Sequence, residues 1–119
     1  MNTILLMILG HMLADYTLQG WLAQAKGKSW WRQNFYEHEF EKVRHDWLAA
    51  LICHALYWSI LTLLPLYGKS EYWYVYVLVN AVIHAVIDDL KCNRKKINLV
   101  QDQLLHLAQI ISTYLLIGI

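Results

Sequence analysis

The sequence predicts an all-α polytopic membrane protein: four transmembrane helices in an antiparallel bundle, with an interfacial amphipathic helix in the first loop. Three observations carry this. Of 119 residues, 58% are hydrophobic and 16% charged, against an apolar share of about 45–50% in ordinary soluble domains. The apolar residues are gathered into four blocks of roughly the 20 residues that a bilayer-crossing helix needs. Nine of the ten lysines and arginines fall in two of the loops between those blocks. A chain this short makes one membrane domain, 1–119.

The first span is read at about 3–21. Its opening, MNTILLMILGHMLADYTLQ, lacks the basic n-region of a cleaved signal peptide and carries His11 and Asp15 where the apolar centre or cleavage site would fall, so a retained helix is expected. The second span, 46–66, contains WLAALICHALYWSILTLLPL, apolar around its whole circumference, which argues against a soluble bundle. Asp46 is a candidate N-cap for it. The third span covers 72–90 and the fourth 102–119.

The loops between these spans set the orientation. The first, 22–45, holds Lys26, Lys28, Arg32, Lys42 and Arg44; the third, 91–101, holds Lys91, Arg94, Lys95 and Lys96; the second has only Lys69. The positive-inside rule makes the first and third loops cytoplasmic and leaves both termini and the second loop outside. The net charge of +1 hides this polarity. Within the first loop, Tyr36, Phe40, Val43 and Trp47 share one helical face, so 30–45 reads as an amphipathic helix lying at the membrane surface. Trp30 and Trp31 on one side, and Tyr72, Trp73 and Tyr74 on the other, suit the aromatic belts at the two headgroup levels. His38 and His45 belong to the charged loop and take no role. Cys53 and Cys92 fall in a span and a cytoplasmic loop and have neither disulfide nor metal-site placement. No internal repeat, Gly-rich phosphate loop or nucleic-acid motif is present.

Against this apolar background, NAVIHAVIDDLK at 80–91 places His84 and Asp88 four residues apart inside a span. HMLAD in the first span repeats the spacing with His11 and Asp15, and DQLLH in the fourth reverses it with Asp102 and His106. Residues four apart lie on one helix face. The first and third spans run inward and the fourth outward, so the reversal puts each aspartate nearer the cytoplasm and each histidine about 6 Å deeper at 1.5 Å rise per residue. His54, eight residues into the second span, joins the same layer roughly 12 Å down. Asp89 points about 100° away from Asp88.

An ionised carboxylate near the middle of a bilayer helix costs at least about 2.5 kcal/mol, so such groups face the bundle interior and pair with something. The spans contain no lysine or arginine to pair with. Hydrogen-bonded packing or interfacial hydration would account for any one dyad. Three dyads and a fourth histidine at matched depth favour a divalent metal site of His11, Asp15, His54, His84, Asp88, Asp102 and His106, holding one or two ions. Zinc is the first expectation, with iron or manganese compatible, and helical bundles build dinuclear sites from such spacings.

GHMLADYTLQ, ALICHALYW, HAVIDDLK and DQLLH together resemble a family of small bacterial and phage membrane proteins known as domain of unknown function 3307, over nearly the whole chain. The resemblance implies a four-helix membrane protein in the bacterial inner membrane, with those seven residues at its signature positions, and implies no activity. The long aromatic and charged first loop departs from the commoner pattern. The residues leave three classes of function: a metal-dependent hydrolase acting on a membrane-linked ester, with Asp15 or Asp102 as general base; a transporter or sensor of the metal, weakened because all the ligands lie on the cytoplasmic half with no second polar cluster toward the outside; and a structural metal site in a small interaction protein of phage or host envelope. The dense histidine pairs of membrane di-iron oxidases are absent.

Overall fold

Asn2 starts the first helix by accepting a hydrogen bond from Ile4 N at 3.0 Å through its side chain, satisfying one of the donors that every helix start leaves open. The computed structural model describes residues 2–17, 25–34 and 45–118. Within these the fold is all-α, with five α-helices and no strand. Helix α1 spans Thr3–Met12 and runs on into a π-helical turn, Leu13–Thr17. The short α2 is Lys28–Asn34. Helix α3, Asp46–Leu63, passes into a 3-10 turn at Leu64–Leu66, where Pro65 cannot continue the helical bonding. Gly68 takes a positive φ of 85° in the turn that follows, a conformation that costs glycine little. Helix α4 is Trp73–Cys92, and α5 is Leu99–Thr113, extended by a second π-helical turn at Tyr114–Gly118.

These bounds agree with the second and third expected spans and shift the fourth. Helix α5 starts three residues before Asp102 because Asn98 and Gln101 close a reciprocal capping box, which satisfies two backbone donors at once. His45, rather than Asp46, occupies the N-cap of α3. Of the amphipathic stripe expected over 30–45, residues 35–44, with Tyr36, Phe40 and Val43, lie outside the described residues, as do 18–21 of the first span.

Neighbouring helices run antiparallel, as their pairings show. Between α3 and α4, Ser59 Oγ donates to Val77 O at 2.6 Å and Trp73 Nε1 to Leu63 O at 2.8 Å. Between α1 and α3, the approach at Gly10 is so close that a Cβ there would sit 2.7 Å from Leu61 O. Helix α5 closes the ring between α4 and α1. An apolar core of Met7, Trp58, Leu63, Leu66, Val77 and Ile110 fills one end. The other end, from which residues 25–34 and 93–98 emerge, is filled with polar groups; it is called the basic end below.

The outward surface is apolar to an unusual degree. On α4, the exposed residues include Val75, Leu78, Val79, Val82, Ile83 and Val86, while Asn80, His84 and Asp88 are buried. Among the described residues one helix, Asp46–Leu66, is long and apolar enough to cross a membrane; Thr3–Tyr16 is apolar but shorter. The buried aspartates, histidines and amides of α4 and α5 lower the apolar content of those helices. Two of the expected belt aromatics turn inward: Trp31 packs on Ala25 and Ala50, and Trp73 joins the core, while Tyr72 and Tyr74 stay exposed.

Candidate metal centre

Near the basic end, helical periodicity brings His84 and Asp88 to the inner face of α4, Asp102 and His106 to that of α5, and His11 and Asp15 to that of α1 and its π turn. His54 enters from α3. His54, His84, Asp102 and His106 are fully buried and Asp88 nearly so. The imidazoles touch in series: His54 and His84 have ring centres 5.0 Å apart, His84 and His106 stack at 4.0 Å, and His106 lies 5.9 Å from His11.

Asp88 is the junction of the cluster. Its Oδ2 lies 3.4 Å from His54 Nε2 and 3.3 Å from His84 Nε2, while its Oδ1 lies 3.2 Å from His106 Nε2. His106 Nε2 is also 3.2 Å from Asp102 Oδ1. On the other side, His54 Nε2 lies 3.1 Å from Asp15 Oδ1 and 3.1 Å from His84 Nε2. Three trios therefore hold potential ligand atoms within 4.8 Å of one another: His54, His84 and Asp88; Asp88, Asp102 and His106; and Asp15, His84 and His106.

The donor set is short of positive charge at its centre. His106 Nδ1 faces Gln109 Oε1 at 3.1 Å and so carries a proton, because a carbonyl oxygen can only accept. Its Nε2 is left between two carboxylate oxygens, an arrangement that calls for a cation, either a second proton on the ring or a metal ion among the three groups. His54 Nδ1 and His84 Nδ1 are buried without a hydrogen-bond partner, and each such atom costs about 1–3 kcal/mol. At most one proton fits between the facing Nε2 atoms of His54 and His84. Imidazole and carboxylate converging in this way fit a divalent ion, and the Gln109 contact to His106 is the kind of outer support that orients a metal-binding imidazole.

His11 stands apart. Trp58 Nε1, a donor only, gives its proton to His11 Nδ1 at 2.8 Å, so Nε2 carries the ring proton and faces Gln103 Oε1 at 2.9 Å. Both ring nitrogens are thus engaged by protein groups, and none of the three trios includes it.

The carboxylates are not without basic partners, contrary to the expectation drawn from the spans alone. Lys26 Nζ reaches Asp88 Oδ2 at 2.8 Å and Lys91 Nζ reaches Asp102 Oδ2 at 3.2 Å. Both lysines come from outside the spans. Burial disfavours the Lys91 ammonium, but the Asp102 and Asp88 carboxylates together outweigh it and the pKa rises above the ordinary lysine value. Burial pushes the Cys92 thiol up, away from the thiolate form that acts as a nucleophile. Asp89 turns away as expected and pairs with Arg94 at 3.1 Å.

Five participants escaped sequence reasoning: Lys26, Lys91, Trp58, Gln103 and Gln109. Gln103 Nε2 donates to Asp102 Oδ2 at 2.8 Å while its oxygen faces His11; its place inside DQLLH was the available signal. Trp58 stacks on His84 with ring centres 4.2 Å apart, and its position four residues after His54 puts it on the same face. A second, uncharged polar cluster, which the sequence reading did not find, lies beyond the histidines: Gln109 Nε2 donates to Asn80 Oδ1 at 3.1 Å and Thr113 Oγ1 to the same oxygen at 3.3 Å.

Fold and site together define a small helical bundle with a buried histidine and aspartate cluster. The chain belongs to DUF3307, a family described as protein of unknown function, whose pattern matches residues 3–119. No curated protein and no solved structure matches it.

Proposed function

We propose that this is a membrane-embedded divalent-metal protein of the bacterial inner membrane, with four spans and both termini outside, acting as a metal-dependent hydrolase on a membrane-linked ester near the cytoplasmic face. The observation that carries the reading is the divided carboxylate of Asp88, one oxygen toward His54 and His84 and the other toward His106. His54, His84 and Asp88 would hold one ion there, and Asp88, Asp102 and His106 would hold a second. Zinc fits these ligands, as do iron and manganese.

The membrane reading draws support from the inverted pattern of the bundle, with amides, imidazoles and carboxylates inside and aliphatic side chains outside on every long helix. Lipid, rather than water, is the solvent for which such a surface is built. The basic end then lies at the cytoplasmic side.

A bound divalent ion supplies Lewis acidity and lowers the pKa of water in its coordination sphere. The chain supplies the rest. Asp15 is the better placed of the two expected bases, its side chain being 8% exposed against 1% for Asp102, so it can meet water and substrate. Lys26 places a cation beside the cluster where negative charge would develop. A closed, structural metal site is the second reading, favoured by the complete burial of His54, His84, Asp102 and His106.

The test is a metal assay of detergent-purified protein. One or two divalent ions per chain are expected, most of which His84→Ala with Asp88→Ala should lose; unchanged stoichiometry in that double variant would leave hydrogen-bonded packing as the explanation. Asp15→Asn should abolish function in cells while keeping fold and most metal. If function survives, the structural reading replaces the enzymatic one.

A further inference from the structure

The two ligand trios that meet at Asp88 differ in what stands behind them. In the trio of Asp88, Asp102 and His106, both ligands that it does not share are held from outside. Gln109 Oε1 faces His106 Nδ1 at 3.1 Å, and the amide has one orientation open to it, because its Nε2 donates to Asn80 O at 3.0 Å and to Asn80 Oδ1 at 3.1 Å. Asn80 is fixed in turn by donating to Tyr76 O at 2.9 Å and to Thr113 Oγ1 at 3.1 Å. The uncharged polar cluster thus ends on one imidazole and keeps its Nε2 toward the carboxylates. Asp102 Oδ2 takes Gln103 Nε2 at 2.8 Å and Lys91 Nζ at 3.2 Å, which leaves Oδ1 directed at His106 Nε2 at 3.2 Å. Outer contacts of this kind typically carry about 10–100-fold in metal affinity.

The trio of His54, His84 and Asp88 lacks that backing. His54 Nδ1 and His84 Nδ1 have no hydrogen-bond partner among the described residues. Their Nε2 atoms face each other at 3.1 Å, and His54 Nε2 faces Asp15 Oδ1 at 3.1 Å as well, contacts that an arriving ion has to break. The third ligand atom, Asp88 Oδ2, has Lys26 Nζ on it at 2.8 Å, closer than His84 at 3.3 Å or His54 at 3.4 Å. The oxygen facing His106 is the other one, Oδ1. The ammonium therefore competes for a ligand atom of one position and not of the other. It is also delivered on a short tether. Asn93 Nδ2 donates to Lys26 O at 3.2 Å and Asn93 Oδ1 accepts from Lys28 N at 2.8 Å, so the backbone beside Lys26 is pinned to the end of α4 and only the side chain has to swing.

We infer that the centre has one resident and one exchangeable ion position: Asp88, Asp102 and His106 hold a divalent ion tightly, whereas His54, His84 and Asp88 take a second one in exchange for the Lys26 ammonium. The inference rests on the metal centre proposed above and adds its regulation. Occupancy of the second position follows the level of free divalent ion, and filling it releases Lys26 from Asp88.

The experiment titrates zinc into the full chain, purified in detergent and stripped with chelator, and reads affinity and stoichiometry by calorimetry, with helix content of every variant checked by circular dichroism. Two zinc ions per chain are expected, the first bound about tenfold more tightly than the second or better. Gln109→Leu should weaken the first by about 10–100-fold and spare the second. Lys26→Met should tighten the second about tenfold or more and spare the first, since it removes the competing charge and leaves the carboxylate uncompensated until an ion arrives. Lys26→Arg keeps the cation and should match the parent, and Lys26→Gln, which keeps a donor without the charge, repeats the test if the methionine variant does not fold. His54→Ala should remove only the weaker ion; His54 is the cleaner probe, because His84 also stacks on His106 at 4.0 Å and its loss disturbs both positions. Two equal affinities, one ion at saturation, an unchanged second affinity in the neutral Lys26 variants, or loss of the tighter ion in His54→Ala would each overturn the inference and leave the metal centre standing. Parent protein that binds no zinc sinks the metal centre itself.

Discussion

Lys26 Nζ and Asp88 Oδ2 meet at 2.8 Å, with only 4% and 1% of their side chains exposed and the two residues 62 positions apart in the chain. The pair fastens the first loop onto α4 and gives the cluster's central carboxylate a cation. Removing one partner of a buried ion pair typically costs about 3–5 kcal/mol, because the other charge is left uncompensated. Lys26→Met should therefore destabilise chelator-treated protein by that order. A bound divalent ion compensates the same carboxylate, so the loss should shrink when metal is present. Denaturation midpoints measured with and without chelator test this, and an equal loss in both would mean that metal and lysine do not answer the same charge.

His11 and His84 should separate in metal binding. Both nitrogens of His11 are engaged by Trp58 and Gln103, whereas His84 Nε2 faces Asp88 and His54. His11→Ala should keep most of the bound metal and lose stability through the freed Trp58 donor, by about 1–3 kcal/mol. His84→Ala should lose metal outright. Equal metal loss in the two variants would put His11 back among the ligands.

The contact at Gly10 sets how closely α1 and α3 approach. A Cβ there meets Leu61 O at 2.7 Å, and backbone cannot give way as a side-chain tip would. Gly10→Ala should lower stability by about 1–3 kcal/mol, the usual cost of overpacking, although alanine is the better helix former. Thermal unfolding that is unchanged or improved would show that the two helices are not held this closely.

The membrane orientation is open to direct labelling. A reporter fused after Ile119 should be active only outside the cytoplasm, and one inserted in the first loop only inside. The reverse pattern would overturn the orientation and the cytoplasmic-face activity proposed for the centre.

The parts of the site that sequence revealed are those that helix geometry alone determines. Four-residue spacing turns HMLAD, HAVID and DQLLH into three faces, and the reversed order in the last puts like residues at like depth. His54 followed from counting along one helix. Lys26 did not, because its approach to Asp88 depends on how a loop returns over a helix end, and no spacing rule encodes that. The role of His11 was equally hidden, since it depends on Trp58 and Gln103 arriving from two other helices. The fold class was legible, whereas the four spans were not settled by length and composition: Asp88, Asp102, His84 and His106 are the residues that make the centre and also those that dilute the apolar character of α4 and α5.

The π-helical turn at Leu13–Thr17 carries Asp15, and such a turn accommodates one residue more per hydrogen-bonded ring than an α-helix does. The carboxylate that meets His54 is therefore held in register by length as much as by side-chain identity. A single-codon deletion between His11 and Asp15 would cut their spacing from four residues to three, about 100° of rotation on an ordinary helix, while a substitution at the exposed Met12 or Tyr16 would leave it in place. In heredity, this short segment should tolerate changes of spelling far better than changes of length.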